Sequence, residues 1–285
     1  MLHKFYFAIR GVIDLFRIEI SFQIEVFAAL IIVFLMVLLP VSNIERAILI
    51  LAITIVFSFE GLNSILEKTL DAVHPGKERR VRIIKDIAAG TVFLSSIGSV
   101  IAGVLIFMPY IALLDKKIFD FVLNFRSENF NKIFEVVTFL GNWQLILPFT
   151  ILIAAFFLFL KKRTWFILIL TSVAGSELIS ALIKNLVRRP RPEGAELIEA
   201  DGFSFPSGHS VIAVAFFGTL AYIIWQSTRN HYLKKTTVYF LLLLIILIGF
   251  SRIILAVHWA SDVAAGFILG LSWLGIAIIF LKDRT

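Results

Sequence analysis

The sequence predicts an all-α integral membrane protein with about eight transmembrane helices and further helices lying along the membrane surface. Three observations predict it. Hydrophobic residues make up 59% of the 285 residues, and the mean hydropathy is +0.95. Apolar stretches of about 20 residues recur along the chain, each long enough to cross a hydrocarbon core of about 30 Å as a helix. Lys and Arg concentrate in alternate connecting segments, as the positive-inside rule requires.

At the start of the chain, Leu2, Phe5, Ile9, Val12, Ile13, Phe16 and Ile20 recur every three or four residues. Lys4, Arg10, Asp14, Arg17 and Ser21 lie opposite them. This pattern is an interfacial amphipathic helix and not a secretory signal peptide. Spans follow at 24–40, 46–67, 87–110, 139–160, 164–186, 207–227, 236–256 and 260–281, and residues 115–131 form a second, less regular interfacial helix. With a cytoplasmic N-terminus, segments 1–23, 67–86, 161–163, 228–236 and 282–285 face the cytoplasm and hold most of the 27 basic residues. Lys77, Glu78, Arg79, Arg80 and Arg82 then form a solvated cytoplasmic loop. An even number of spans returns the C-terminus to the same side. The chain is thus expected to be a multi-pass protein of the inner or plasma membrane. Its net charge of +7 combines this topology signal with an anion site. The basic residues are dispersed among spans, which excludes a nucleic-acid reading. Without cysteine there are no disulfides and no thiol chemistry.

Polar chemistry is confined to two places. The first comprises Lys184–Pro192 (Lys-Asn-Leu-Val-Arg-Arg-Pro-Arg-Pro), Pro206-Ser207-Gly208-His209, and Ser251–Asp262 with Arg252, His258 and Asp262. Lys184, Arg188, Arg189, Arg191 and Arg252 are the basic residues of this group, on the outer side. Arg191 lies between two prolines, which hold its backbone extended. Guanidinium groups bind phosphate oxygens bidentately, and Lys184 adds a point charge. Pro206–His209 opens a helix whose free N–H groups favour an anion. His258 and Asp262 are four apart, so one helical face is expected to carry both. A carboxylate at one imidazole nitrogen fixes the tautomer and frees the other nitrogen to attack phosphorus. His209 then protonates the departing oxygen. Each piece alone is ordinary. Together, at span ends on one membrane face, they form a candidate phosphoryl-transfer site.

These segments resemble the three motifs of the type 2 phosphatidic acid phosphatase superfamily: Lys-x6-Arg-Pro, Pro-Ser-Gly-His and Ser-Arg-x5-His-x3-Asp. All three match without substitution, and the likeness covers roughly residues 90–281. The resemblance implies a six-helix core and a phosphatase that needs no metal or other cofactor, with a phosphohistidine on His258. Asp262 would assist the nucleophile and His209 would be the general acid. Lys184, Arg191, Ser207, Gly208 and Arg252 would hold the phosphoryl group.

The second place is the cytoplasmic end of the first three spans. Glu60, Asn63, Glu67 and Asp71 fall within about 80° of one helical face. Glu25 and Lys85-Asp86 lie on the same side. Ionised groups inside a span are costly unless paired or ion-bound. Carboxylates with an amide and a lysine suit Mg²⁺ and a nucleotide polyphosphate, because hard cations prefer oxygen ligands. The competing reading is a polar seam that fixes helix packing.

Residues 1–110 resemble the small three-helix membrane kinases of diacylglycerol and undecaprenol, with the pattern Glu-x-x-Asn-Ser/Thr-x-x-Glu-x3-Asp followed by Lys-Asp. Ile65-Leu66 stands where Ala-Ile is usual, and Ser21-Phe22-Gln23 departs from the common entry segment. The resemblance implies that Glu60 is the base for the lipid hydroxyl and that Glu25 and Glu67 bind Mg²⁺ with ATP. Asn63, Asp71, Lys85 and Asp86 would shape the nucleotide site. It further implies a homotrimer.

The expected organisation is therefore a kinase-like domain at 1–110 and a phosphatase domain at 111–285, whose core begins near 90 if the third span is shared. The expected function is bifunctional. An ATP-dependent kinase acts on undecaprenol or diacylglycerol inside, and a phosphatase acts on lipid phosphates or pyrophosphates outside, with undecaprenyl pyrophosphate favoured. The alternatives are a phosphatidic acid or phosphatidylglycerophosphate phosphatase whose first 110 residues are only structural, and a transporter or scaffold. No inverted repeat supports the transporter.

Overall fold

In the computed structural model, which describes residues 2–74, 76, 78–194 and 196–282, the chain is helical, with one long connection at 188–207. Lys77 and the basic residue of 283–285 fall outside the described residues, as do the side chains of Leu2, Lys4 and Lys282. Among the described residues, eight segments are long and apolar enough to cross a membrane. The chain divides into two compact units, Met1–Ala112 and Leu113–Thr285.

The first unit holds α1 (Leu2–Ile18), α2 (Ile20–Leu38), α3 (Asn43–Val73) and the first part of α4 (Arg79–Leu123). The apolar face of α1 stays exposed at Phe5, Ile9, Val12 and Phe16, as a helix seated in a membrane interface requires. Ser42 and Glu45 form a reciprocal capping box at the start of α3. The Tyr110 hydroxyl donates to Glu45 Oε2 at 2.7 Å and ties α4 to that cap. Met36, Val41, Leu49 and Phe107 form the buried core between α2, α3 and α4.

Residues 115–131 do not form a separate interfacial helix. Nothing between Pro109 and Leu123 breaks the chain's helical run, and Pro109 itself lies inside α4. The third span thus runs 13 residues beyond its expected end, to Leu123. The amphipathic helix lies downstream as α5 (Glu128–Phe139), where the Ser127 hydroxyl accepts from Phe130 N at 3.3 Å and caps it.

The second unit continues with α6 (Trp143–Phe159), α7 (Arg163–Val187), α8 (Gly208–Ala213), a π-helical turn (Val214–Gly218), α9 (Thr219–Ser227), α10 (His231–Ile254) and α11 (Ala260–Lys282). α7 packs on α6 and α11, while α8 wedges against α7, α10 and α11. The close approach of α8 and α11 depends on Gly266. A Cβ there would stand 2.8 Å from the Ser207 carbonyl oxygen and 2.7 Å from Ser210 Cβ. Alternation of these helices brings the C-termini of α7 and α10 and the N-termini of α8 and α11 to one end of the unit. The tribasic 161–163 turn between α6 and α7 is at the other end.

Candidate active sites

The polar end of the second unit is built by three local structures. α10 closes in a Schellman turn: Ala256 N donates to Ile253 O at 3.0 Å and Val257 N to Arg252 O at 3.2 Å. Ala256 takes the left-handed conformation, φ 55°, that this turn demands. The turn delivers His258 directly behind Arg252, and His258 N also reaches Arg252 O at 3.3 Å. Next, α11 begins, with Asp262 in its first turn accepting from Trp259 N at 2.9 Å. His258 and Asp262 therefore do not share a helical face. The histidine precedes the helix, and the capping geometry of the aspartate holds them together, with Nδ1 3.6 Å from Oδ2.

The third structure is the 188–207 loop. Arg188 ends α7 in the left-handed region, φ 51°, and the loop returns to α8. Arg191 is clamped by carbonyls: Nε donates to Gly202 O at 3.0 Å, Nη2 to Asp201 O at 2.8 Å and Nη1 to Val257 O at 2.7 Å. Nη1 also stands 3.1 Å from His258 Nε2. That contact needs an unprotonated Nε2, so the proton of a neutral ring lies on Nδ1, facing Asp262. Burial, reinforced by Arg252 and Arg191 and opposed by Asp262, lowers the His258 pKa to about 4. The imidazole is neutral at physiological pH. Arg191 is likewise lowered from its ordinary value, chiefly by burial.

The remaining residues converge on the same place. The Lys184 ammonium lies beside Gly208, 3.9 Å from where a Cβ would stand. His209 packs on Gly141, whose absent Cβ would be 3.3 Å from the ring, and it feels the charges of Arg252, Lys184 and Arg191. Arg252 is 4% exposed, donates from Nη1 to Thr138 Oγ1 at 2.7 Å, and leaves Nε without a partner. The Ser207 hydroxyl is fully buried and accepts from Ser210 Oγ at 3.0 Å. Three cations, a neutral imidazole backed by a carboxylate, and a second imidazole thus lie close together at one end of the unit. This set can bind an oxyanion, attack phosphorus and move a proton.

Arg188 and Arg189 are not part of the cation set. Arg188 Nε donates to Asn185 O at 3.0 Å, and Arg189 is spent on carboxylates. Asp115, Thr138, Trp259 and Ser261 were not singled out by sequence. The signal available for Asp115 was an acid directly after the apolar run 111–114, with no glycine or proline between it and Leu123.

In the first unit, Glu60 is 4% exposed and accepts the hydroxyl proton of Ser21. Glu25 feels the charge of Glu60, and its Oε2 is buried without a partner. Asn63 Oδ1 is also buried and unpartnered. Lys85 bonds Asp71 at 2.5 Å, and Asp86 stands 3.7 Å from Arg82. Glu67 is half-buried. Among the described residues, no group of three or more His, Asp or Glu side chains could hold a metal ion. The orphaned Glu25 oxygen, within reach of Glu60, nevertheless fits a hard cation that completes its shell from phosphate oxygens. Asn63 instead lines a separate cavity with Leu62, Ile84 and Ile87.

Comparison with known proteins finds one family over each part of the chain. The prokaryotic diacylglycerol kinase family matches residues 6–107, and the PAP2 superfamily matches residues 165–285. Phosphatidylglycerophosphatase B of Bacillus subtilis (strain 168) is 34% identical over 150 residues, covering 51% of this chain and 72% of that protein. Undecaprenol kinase of the same organism is 36% identical over 106 residues, covering 37% of this chain and 86% of that protein. The chain belongs to both families. It is a fusion of a prokaryotic diacylglycerol kinase domain with a PAP2 lipid phosphatase domain. The crystal structure of a transmembrane PAP2-type phosphatidylglycerolphosphate phosphatase from Bacillus subtilis aligns with a TM-score of 0.57 at 23% identity. It covers 81% of this chain and 98% of that one, and it bears on the fold alone.

Proposed function

We propose a bifunctional membrane enzyme whose PAP2 domain dephosphorylates a lipid phosphate or pyrophosphate and whose kinase domain phosphorylates a lipid alcohol from ATP. The observation that carries the phosphatase reading is the His258 Nε2 to Arg191 Nη1 separation of 3.1 Å, with Asp262 behind the ring. The neutral Nε2 attacks phosphorus while the bond to the lipid oxygen breaks. His209 delivers a proton to that oxygen, and Arg191, Arg252 and Lys184 hold the non-bridging oxygens as charge builds. Water then attacks the phosphohistidine, giving its proton to His209 as the P–N bond breaks. Asp262 stabilises the cationic ring throughout. No step requires a metal.

In the kinase domain, Glu60 takes the proton of the lipid hydroxyl. Bound Mg²⁺ and ATP supply the γ-phosphoryl group and the charge compensation for its transfer. Glu25 and Glu67 would hold the metal, and Asn63, Asp71, Lys85 and Asp86 the nucleotide. Positive-inside charge bias supports cytoplasmic termini, a kinase site on the ATP side and a phosphatase site facing outward. A homotrimer accompanies this reading.

The substrates we favour are undecaprenol inside and undecaprenyl pyrophosphate outside, so that both sites yield the same carrier phosphate. Similarity to undecaprenol kinase supports this. Similarity to phosphatidylglycerophosphatase B favours the second reading, hydrolysis of phosphatidylglycerophosphate or phosphatidic acid. Purified protein incubated with each of these lipids, with and without ATP and Mg²⁺, separates them. Release from undecaprenyl pyrophosphate exceeding release from the glycerolipids is expected. The reverse preference selects the second reading, and turnover of none rejects both.

A further inference from the structure

The three motifs leave one part of the phosphatase site unexplained, namely what Arg189 and Asp115 do there. Asp115 lies on α4, 50 residues ahead of the segment that the PAP2 superfamily matches. Its carboxylate is 2% exposed and accepts three hydrogen bonds. Oδ1 takes Ser261 N at 2.8 Å, and Oδ2 takes the Ser261 hydroxyl at 2.5 Å and Arg189 Nη2 at 2.7 Å. Arg189 turns its other nitrogen to Asp262, where Nη1 donates to Oδ1 at 2.7 Å and to Ser261 Oγ at 2.7 Å. One turn further along α4, the Phe119 ring packs on Trp259 at 5.5 Å, and the Trp259 indole N–H donates to Pro190 O at 3.1 Å. The end of α4 therefore grips the same 258–262 turn at two points.

From this arrangement we infer that Asp115, acting through Arg189, is a positioning residue of the phosphatase. The reason is charge arithmetic. A buried ionised carboxylate needs partners, and Asp262 has them: Arg189 on Oδ1 and the Trp259 N–H on Oδ2. A guanidinium devoted to Asp262 alone would cancel the charge that His258 needs. Asp115 holds half of that guanidinium, so two carboxylates share one cation and one negative charge remains. It matters most when Nε2 forms its bond to phosphorus and the ring becomes cationic. Fixing Oδ1 also leaves only Oδ2 to face Nδ1, which sets the orientation of the pair. Because Asp115 touches neither phosphate nor lipid, its effect falls on the bond-making step and not on substrate binding.

This inference rests on the phosphatase reading. The test uses the full chain in mixed micelles with phosphatidic acid, phosphatidylglycerophosphate or undecaprenyl pyrophosphate, whichever wild type hydrolyses fastest. Asp115→Asn keeps the side chain's size and removes its charge. It should lower kcat about 10- to 100-fold, the range for residues that orient a reactive group, with KM within about twofold. In an Arg189→Met background, the same substitution should cost less than about twofold more, since the two act as one unit. If thermal unfolding finds Asp115→Asn unfolded, Arg189→Lys, which keeps the cation but cannot fork between both acids, takes its place under the same kcat and KM criterion. A kcat within about twofold of wild type, a change in KM alone, or multiplicative losses in the double variant would overturn the inference while the phosphatase reading stands. Wild type inactive on all three lipids would remove both.

Discussion

The two polar sites solve the same problem, charge inside a membrane protein, in opposite ways. In the PAP2 domain most charged groups find partners within the chain, although Arg252 Nε and His258 Nδ1 keep none. Arg191 has three carbonyls and an imidazole, Arg252 has Thr138, and Asp262 has Arg189 and a backbone N–H. In the kinase domain two acids lie within electrostatic reach of each other, and buried oxygens of Glu25 and Asn63 have no partner. Burying a polar atom unpaired costs about 1–3 kcal/mol, more when it is charged, so such atoms mark where something else binds. The orphaned atoms of the PAP2 site are nitrogens, which suit an oxyanion, and those of the kinase site are oxygens, which suit a cation. On the proposed function the first would take a phosphoryl group and the second a divalent cation with nucleotide.

Metal dependence should show the largest difference between the two sites. Chelating divalent cations should abolish lipid phosphorylation and leave phosphate release within about twofold of its starting rate, as measured on one sample by transfer of labelled phosphate. Phosphate release lost on chelation and restored by Mg²⁺ would mean the PAP2 site is not self-sufficient. A smaller effect sharpens the picture of the PAP2 site. Arg191→Lys keeps a cation but cannot reach three carbonyls and a phosphoryl group together, and should lower phosphatase kcat/KM about 100-fold, the cost of one lost oxyanion donor. Kinase turnover by the same preparation should not change.

The smallest concerns pH. His258 has a folded pKa of about 4, below the ordinary imidazole value of 6.5. Between those values the unfolded chain binds more protons than the folded one, so stability rises with pH across the window. The contribution is present in full above about 6.5 and is lost as pH falls through about 4. Phosphatase kcat/KM should accordingly persist below pH 6, with its His258-dependent acid limb near 4. Its measurement across pH 4–7 checks this, and an acid limb near 6.5 would show an imidazole that is not buried among cations.

How much of this was legible beforehand depended on the range of the interaction. The hydropathic spans and the three motifs are local, and Lys184, Arg191, Ser207, Gly208, His209, Arg252, His258 and Asp262 do meet at one end of the helices. The extent of α4 differs from the expected interfacial helix at 115–131, since the helix continues unbroken to Leu123. Asp115 is instead buried by partners at 189 and 261, too distant in sequence to leave a periodic signal. Spacing placed His258 and Asp262 together for the wrong reason. Four residues can be a helical turn or a capping turn, and only the left-handed Ala256 and the Asp262 cap distinguish them.

If one chain carries two separable active sites, each activity should be lost without the other. Phosphate release and phosphate gain are assayed on wild type, His258→Ala and Glu60→Gln, each shown to be folded. The account predicts that His258→Ala loses release by at least about 1,000-fold with gain unchanged, as for loss of a covalent nucleophile, and that Glu60→Gln does the opposite. Release surviving in His258→Ala, or both activities falling together in either variant, would contradict it.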